Sequence, residues 1–278
     1  NINYVNIFPT TEFDSILVNE PNRRLREQYS DHMIVGLKYS FIFNNQNNRN
    51  QRHFNYLRVD LESSGNALYS INEIAGTHKS DSGYYRIFGV RYSQYFRINI
   101  DFRYYFYFKN KTNSLVWRLL LGAGVPYGNS DELPYEKGFY AGGANDMRGW
   151  IFKSLGPGDY SGNSPYEKIG DIQIEGNLEY RFPIYSFFKG ALFTDIGNIW
   201  TYERSTTFPG GQFYFNKFYK QLAVDAGVGF RFDFQILIFR IDVAVPLKNP
   251  AYPAGDRWRI RYIQPKDFVW NFGIGYPF

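Results

Sequence analysis

Polar and apolar residues alternate along this chain over unusually long stretches. From Asp171 to Phe182 (DIQIEGNLEYRF) every second residue is polar, and the residues between them are apolar or glycine. Successive side chains of a β-strand point to opposite faces, so strict alternation over twelve residues predicts a strand. Strands of soluble proteins are usually about 5–6 residues long, so this strand is about twice the usual length.

The same pattern recurs and predicts nine strands. They cover residues 33–44, 54–64, 97–109, 114–124, 171–182, 190–200, 221–233, 235–245 and 269–278. The opening segment NINYVNIF looks like the end of a tenth strand. Short turns such as YRFPIYSFFKG alternate with long connections, of which residues 126–169 form the longest.

Strand length and composition decide which face is buried. Segments of about 11–13 residues match a strand that crosses a bilayer at a tilt. Their polar faces mix Arg, Asp, Glu and Asn with Gly and Ala, which suits a crowded, charged lumen. Aromatic residues crowd the apolar faces and the strand ends, as at a membrane interface. We therefore predict an all-β fold, an antiparallel transmembrane β-barrel. The alternative is a soluble sandwich or solenoid with the apolar face inside.

Composition excludes several other classes. The chain has 278 residues, 52 of them Phe or Tyr, a formal net charge of +5 and no cysteine. Without cysteine there is no disulfide scaffold, no Cys-ligated zinc and no cysteine nucleophile. No basic run suggests nucleic acid as a partner. No run of about 18 apolar residues predicts a membrane-spanning helix.

Catalytic chemistry is not indicated either. The three histidines, His32, His53 and His78, have no metal-ligand spacing, and no Gly-x-Ser-x-Gly occurs. The carboxylates of Glu175 and Glu179 fit a charged lumen lining better than a general acid and base. We expect no enzyme activity, no metal and no cofactor.

The long connection 126–169 contains the segment GGANDMRGW, with one arginine among glycines. It resembles the sixth-loop signature of the outer-membrane assembly superfamily, which includes BamA, TamA and the two-partner-secretion transporters. The matching loop residues are Gly142, Gly143, Arg148, Gly149 and Trp150. The segment GALFTDIGNIW resembles the family's strand motif through Phe193, Asp195 and Gly197. Among these proteins, the loop looks most like the TamA-like proteins of Bacteroidetes.

The resemblance implies a barrel of sixteen strands that usually follows periplasmic POTRA repeats. Our strands correspond to the last nine, so residues 1–278 would be the C-terminal part of one barrel domain. We expect the N-terminal strands and the POTRA repeats to lie outside this chain. The resemblance also implies that the long loop folds into the lumen and brings Arg148 to the acidic wall residues Asp195 and Glu179.

A function in the outer membrane of a Gram-negative bacterium follows from the resemblance. We expect a factor that inserts or translocates proteins through a weak seam between the first and last strands. Glycine adds little cross-strand packing and proline cannot donate to a ladder, so the closing strand suits a seam. Its seam residues are Trp270, Gly273, Gly275, Pro277 and Phe278.

The partners expected on this reading are outer-membrane lipid and client β-barrel or secreted polypeptides. An inner-membrane TamB-like protein or accessory lipoproteins are further candidates. The alternative functions are a transport pore for polypeptide or lipid and, less favoured, a passive porin.

Overall fold

A computed structural model describes residues 2–20, 26, 28–47, 51–109, 112–164, 166–234 and 236–278. Three positions that the sequence predictions include lie outside the described residues. They are Asn1 in the opening segment, Pro165 in the long connection and Gln235 at the start of a predicted strand.

Twelve strands and two α-helices are formed by the described residues. The strands are β1 (Ile2–Val5), β2 (His32–Asn44), β3 (His53–Ser64), β4 (Arg86–Ile87), β5 (Val90–Tyr92), β6 (Tyr95–Tyr107), β7 (Ser114–Pro126), β8 (Ile172–Tyr185), β9 (Phe188–Trp200), β10 (Ala223–Asp233), β11 (Ile238–Lys248) and β12 (Val269–Ile274). The helices are α1 (Thr11–Asn19) and α2 (Asn66–Ile74). Neither is long and apolar enough to cross a membrane.

The strands form one sheet in the order β12-β11-β10-β9-β8-β7-β6-β3-β2-β5-β4, and β1 pairs with β2. The pairs from β8 to β12 are antiparallel, and β5 runs parallel to β2. The predicted all-β, antiparallel fold is confirmed, and each of the nine predicted strands is present. The short strands β4 and β5 were not predicted, because two or three residues are too few to show alternation.

The last strand is shorter than predicted. The prediction extended it to Phe278, but β12 ends at Ile274. Gly275 has a φ of +84°, a conformation that glycine adopts without strain, and it turns the chain away from the ladder. Phe278 is buried, so the final residues leave the strand and turn inward.

The contacts between residues group the chain into two compact units. The first comprises residues 1–40, 60–99 and 123–138, and the second comprises residues 41–59, 100–122 and 139–278. In the first unit Ile34, Tyr95 and Leu133 form an apolar cluster.

In the second unit the polar face of the sheet is the buried one. Glu179 on β8 and Asp195 on β9 are fully buried, whereas Leu178 and Ile196, the next residues on the other face, are 42% and 43% exposed. A soluble sandwich would show the reverse arrangement. The alternation therefore predicts the buried face correctly, and the candidate site lies on it.

Candidate functional site

The loop motif adopts a compact turn that depends on its glycines. Gly142 and Gly143 have φ angles of +107° and +108°, which residues with a side chain rarely adopt. The amide of Gly143 donates to the carbonyl of Trp150 at 2.9 Å and closes the segment on itself. Trp150 packs with Met147 in an apolar cluster that anchors the turn. Arg148 lies between Met147 and Gly149 in this turn.

Arg148 is fully buried and bonds to two carboxylates. Its Nε donates to Asp195 Oδ2 at 2.8 Å and its Nη2 donates to Asp195 Oδ1 at 2.9 Å. Its Nη1 donates to Glu179 Oε2 at 2.6 Å. The backbone amide of Arg148 adds a bond to Asp195 Oδ2 at 3.2 Å. The planar guanidinium matches a carboxylate with two parallel bonds, a geometry that lysine cannot reproduce.

Residues beside the ion pairs hold the same loop tip. The ring of Phe193 lies 3.4 Å from the guanidinium carbon of Arg148, so the cation stacks on an aromatic face. The amide of Gly149 donates to Asp225 Oδ2 at 2.9 Å. A Cβ on Gly149 would lie 2.5 Å from the Cβ of Asp225, so the contact requires glycine. Gly197 likewise allows close packing, because a Cβ there would lie 2.7 Å from the carbonyl of Ile174.

Several contributors to the cluster were not singled out from the sequence. Arg231 donates to Glu179 Oε2 at 3.1 Å and also to Asp242. Asn271 on β12 donates to the carbonyl of Arg148 at 2.9 Å. Arg181 donates to Glu179 Oε1 at 2.7 Å. The predicted polar faces contain some of these residues, but only the register between strands shows which of them meet.

The cluster brings buried acids and arginines together. Its acids are Glu179, Asp195, Asp225 and Asp242, and its arginines are Arg148, Arg181, Arg231 and Arg240. Buried charges are tolerated when each is paired and hydrogen-bonded, and they become costly when one partner is removed. The arrangement is therefore suited to fixing the position of the loop against strands β8 to β11.

The loop's own ionisable groups respond to burial and to these neighbours. Burial alone would lower the pKa of Arg148, but the carboxylates of Asp195 and Glu179 reverse this and raise it. Burial raises the pKa of Asp146 to about 6; the charge of Arg118 opposes that rise, and Asp195 and Asp101 add to it. Arg118 Nη1 lies 3.7 Å from Asp146 Oδ1, too far for a hydrogen bond. Arg148 thus stays charged, while Asp146 takes up a proton at a higher pH than an exposed aspartate does.

The predicted seam residues separate into two groups. Trp270 and Gly273 lie within β12, and Trp270 is 62% exposed. Gly275, Pro277 and Phe278 follow the strand instead of forming part of it.

The end of the chain lies near the arginine cluster. The carbonyl of Phe278 accepts a bond from Arg181 Nη2 at 3.1 Å, and its ring lies 5.8 Å from the guanidinium of Arg148. Among the residues that the structure describes, no group of three or more His, Asp or Glu side chains could hold a metal ion. All three guanidinium nitrogens of Arg148 donate to Asp195 or Glu179, which supports a positioning role.

Comparison with known proteins concerns the family and the fold. The family model of the Omp85 superfamily domain matches residues 18–278. A crystal structure of BamA from Haemophilus ducreyi lacking POTRA domains 1–3 is similar, with 16% identity and a TM-score of 0.55. The match covers 97% of this chain and 47% of that chain, so this chain spans about half the length of the BamA structure. The likeness supports the fold.

A weaker match is to CdiB from Acinetobacter baumannii, with 13% identity and a TM-score of 0.38. It covers 87% of this chain and 41% of that chain.

Proposed function

Because the chain belongs to the Omp85 superfamily, we propose that it works in the outer membrane of a Gram-negative bacterium as a factor that inserts β-barrel proteins or translocates polypeptides. The activity needs no cofactor and makes no covalent bond, so we propose that the chain is not an enzyme. Burial of the client's apolar surface in lipid supplies the free energy of insertion.

The observation that carries this proposal is the Arg148 cluster. It holds a loop of the chain on the charged, buried face of β8 to β11 through four hydrogen bonds to two carboxylates. A passive porin has a water-filled lumen, and a loop fixed on the inner face would obstruct it. The cluster therefore favours insertion or translocation over the porin alternative.

The last strand supports the proposed seam. β12 has six residues, whereas β11, its partner, has eleven. It stands at one end of the strand order. A short strand that contains glycine makes a weak ladder. An edge that such a strand uncovers can pair with an incoming strand, which gives a route for a client into the membrane.

A disulfide across the seam tests the proposal in the full-length protein. Phe272, which is 71% exposed, is a better cysteine position than Gly273, where a Cβ would lie 2.5 Å from Arg240 Nη2. The second cysteine is placed on the first strand of the complete barrel, and the chain described here has no native cysteine to interfere. Locking the seam should stop client insertion while the barrel stays folded, and reductant should restore insertion.

The control is the same protein with Phe272→Cys alone, which should insert clients with or without oxidant. If the locked barrel inserts clients at the normal rate, the seam mechanism is wrong. A transport pore for polypeptide or lipid then becomes the better proposal, because passage through a lumen does not require the wall to open.

The finer assignments rest on sequence resemblance alone. The loop motif around Arg148 resembles that of TamA-like proteins of Bacteroidetes, and on that basis we propose a TamB-like inner-membrane partner or accessory lipoproteins. Co-purification of the full-length protein with a partner of either kind would support this assignment.

A further inference from the structure

A cavity of about 340 Å³ lies in the second unit, where the end of the Arg148 loop faces the connection between β11 and β12. Its lining includes Trp150, Ser154, Tyr252, Arg259, Tyr262 and Lys266. The lining therefore combines aromatic rings with cationic side chains. Arg259 and Lys266 take no part in the Arg148 cluster.

Arg259 packs against two tyrosine rings of the cavity. Its guanidinium carbon lies 4.2 Å from the ring centroid of Tyr252 and 4.6 Å from that of Tyr262. Cation–π contacts of this kind occupy the faces of a guanidinium and leave its N–H edge available. Within the described part of the chain, no acceptor bonds to this edge. The side chain thus presents a rigid fork of donors towards the cavity.

Arg257, two residues earlier in the same connection, is an arginine with a structural role and serves as a comparison for Arg259. Its Nε donates to the carbonyl of Tyr252 at 3.2 Å and its Nη1 to the carbonyl of Lys220 at 3.0 Å. Its Nη2 donates to Asp159 Oδ2 at 2.9 Å. All three nitrogens of that guanidinium have partners, so Arg257 fastens the connection. Arg259 has the same chemistry with its donors unused.

The charge around the cavity is positive. Arg259 and Lys266 line it, and Asp267 is the acid among the lining residues. The carboxylate of Asp267 already accepts a bond from the amide of Gln264 at 2.9 Å and caps a short helical turn. Two cations and one committed carboxylate leave a net positive charge, which an anion would balance.

We propose that this cavity binds a phosphorylated ligand. The phosphate accepts bonds from the edge of Arg259, with Lys266 as a second cation, and the attached sugar or glycerol packs on Tyr252 and Tyr262. A phosphate monoester with a charge of about −1.5 to −2 suits two cationic side chains better than a single carboxylate does. Such a group can come from a soluble sugar phosphate or from a lipid headgroup. The proposal is independent of the seam mechanism and of client insertion.

Binding of glucosamine 1-phosphate to the full-length protein in detergent, measured by titration calorimetry, tests the site. Arg259→Ala should weaken binding about tenfold or more, since it removes a charged donor fork. Arg259→Lys keeps the charge but loses the fork, so its affinity should lie between those of wild type and Arg259→Ala. The matched control is Arg261→Ala, which removes the same charge from an exposed residue outside the cavity. It should change the affinity less than about twofold.

Two further measurements make the outcome unambiguous. All variants should lose their heat-modified gel mobility at the same temperature. A loss of binding then cannot be explained by a loss of folding. Flotation of wild type and Arg259→Ala with phosphatidic acid vesicles, compared with phosphatidylcholine vesicles, then shows whether the phosphate monoester of a lipid headgroup reaches Arg259. The proposal is overturned if wild type binds neither probe, if Arg259→Ala and Arg261→Ala behave alike, or if glucuronate binds more tightly than glucosamine 1-phosphate.

Discussion

Two stretches of the long connection between β7 and β8 are fastened by different chemistry. Near the start of the connection, in the first unit, the neutral side-chain amide of Asn129 holds the chain in place. The side chain of Asn129 accepts a bond from the amide of Tyr85 at 2.7 Å and donates to the carbonyls of Tyr85 and Tyr92 at 3.0 and 2.9 Å. Its backbone amide donates to Gln94 Oε1 at 2.8 Å. The second unit uses the charged Arg148 instead.

In both places one buried side chain satisfies several groups, but the consequences of losing it differ. The amide of Asn129 pairs with the N–H and the C=O of Tyr85, much as a neighbouring strand would. Its loss exposes neutral groups, each costing about 1–3 kcal/mol. Loss of Arg148 leaves buried carboxylates without their counter-charge. The neutral fastening is indifferent to pH, whereas the charged one specifies a single position of the loop and is costly to break.

The largest effect is expected for Arg148→Ala. Removing one partner of a buried charge pair costs about 3–5 kcal/mol, because Asp195 and Glu179 remain buried. The temperature at which heat-modified gel mobility is lost should fall well below that of wild type. Arg148→Lys should recover part of the loss, since it restores the charge without the two parallel bonds to Asp195.

Arg261→Ala is the control for this measurement, because Arg261 is exposed and its removal changes the net charge equally. It should melt close to wild type. If Arg148→Ala also melts like wild type, the buried contact does not stabilise the barrel, and the contrast between the two fastenings fails.

The two fastenings were unequally predictable from the sequence. Alternation predicted the strands and the buried face, and family resemblance singled out Arg148, Asp195 and Glu179, which the structure places in contact. The pairing of Asp225 with the loop was not predicted. It depends on the antiparallel register that puts Asp225 opposite Asp195, and alternation alone does not encode register.

Asn129 was not predicted at all. One amide in a loop has no periodic signal, and its partners Tyr85 and Tyr92 are 44 and 37 residues away in the chain. The inward turn of Phe278 was missed for a similar reason. The residues after Ile274 continue the alternating pattern of a strand, and the sequence does not show that one glycine ends the strand there. Gly275 is that glycine.

An intermediate effect is expected at Asn129. Asn129→Ala removes the partner of the Tyr85 amide and should lower the free energy of unfolding by about 1–3 kcal/mol. Asn129→Asp should be at least as harmful at neutral pH, because a carboxylate oxygen would face the carbonyls of Tyr85 and Tyr92. Hydrogen exchange of the Tyr85 amide is the local measurement and should accelerate in both variants.

The exposed Asn216 offers a matched control, since Asn216→Ala removes an amide that bonds to no described residue. Exchange at Tyr85 should then be unchanged. If the Tyr85 amide exchanges as slowly in Asn129→Ala as in wild type, water or another group replaces the side chain of Asn129. The hydrogen bonds of Asn129 would then not be needed to hold this part of the connection.

The smallest effect concerns pH and is expected only in the charged region. Burial raises the pKa of Asp146 from its ordinary value of 3.8 to about 6, with Asp195 and Asp101 adding to the rise and Arg118 opposing it. Between these two pH values the folded protein binds a proton more readily than the unfolded one. The free energy of unfolding should therefore rise as the pH falls from about 6 to about 4.

Asp146→Asn removes the carboxyl while keeping the shape of the side chain, so it isolates this contribution. Melting by gel mobility at about pH 6.5 and pH 4.5 should show a smaller gain on acidification in Asp146→Asn than in wild type. The difference should be about 1 kcal/mol or less, because the Asp146 side chain is 20% exposed and solvent screens it. Asn129→Ala should keep the wild-type pH response, since it removes no charge. An equal pH response in Asp146→Asn and wild type would mean that Asp146 titrates near its ordinary value, and that Arg148 and its partners hold the loop without a pH-sensitive neighbour.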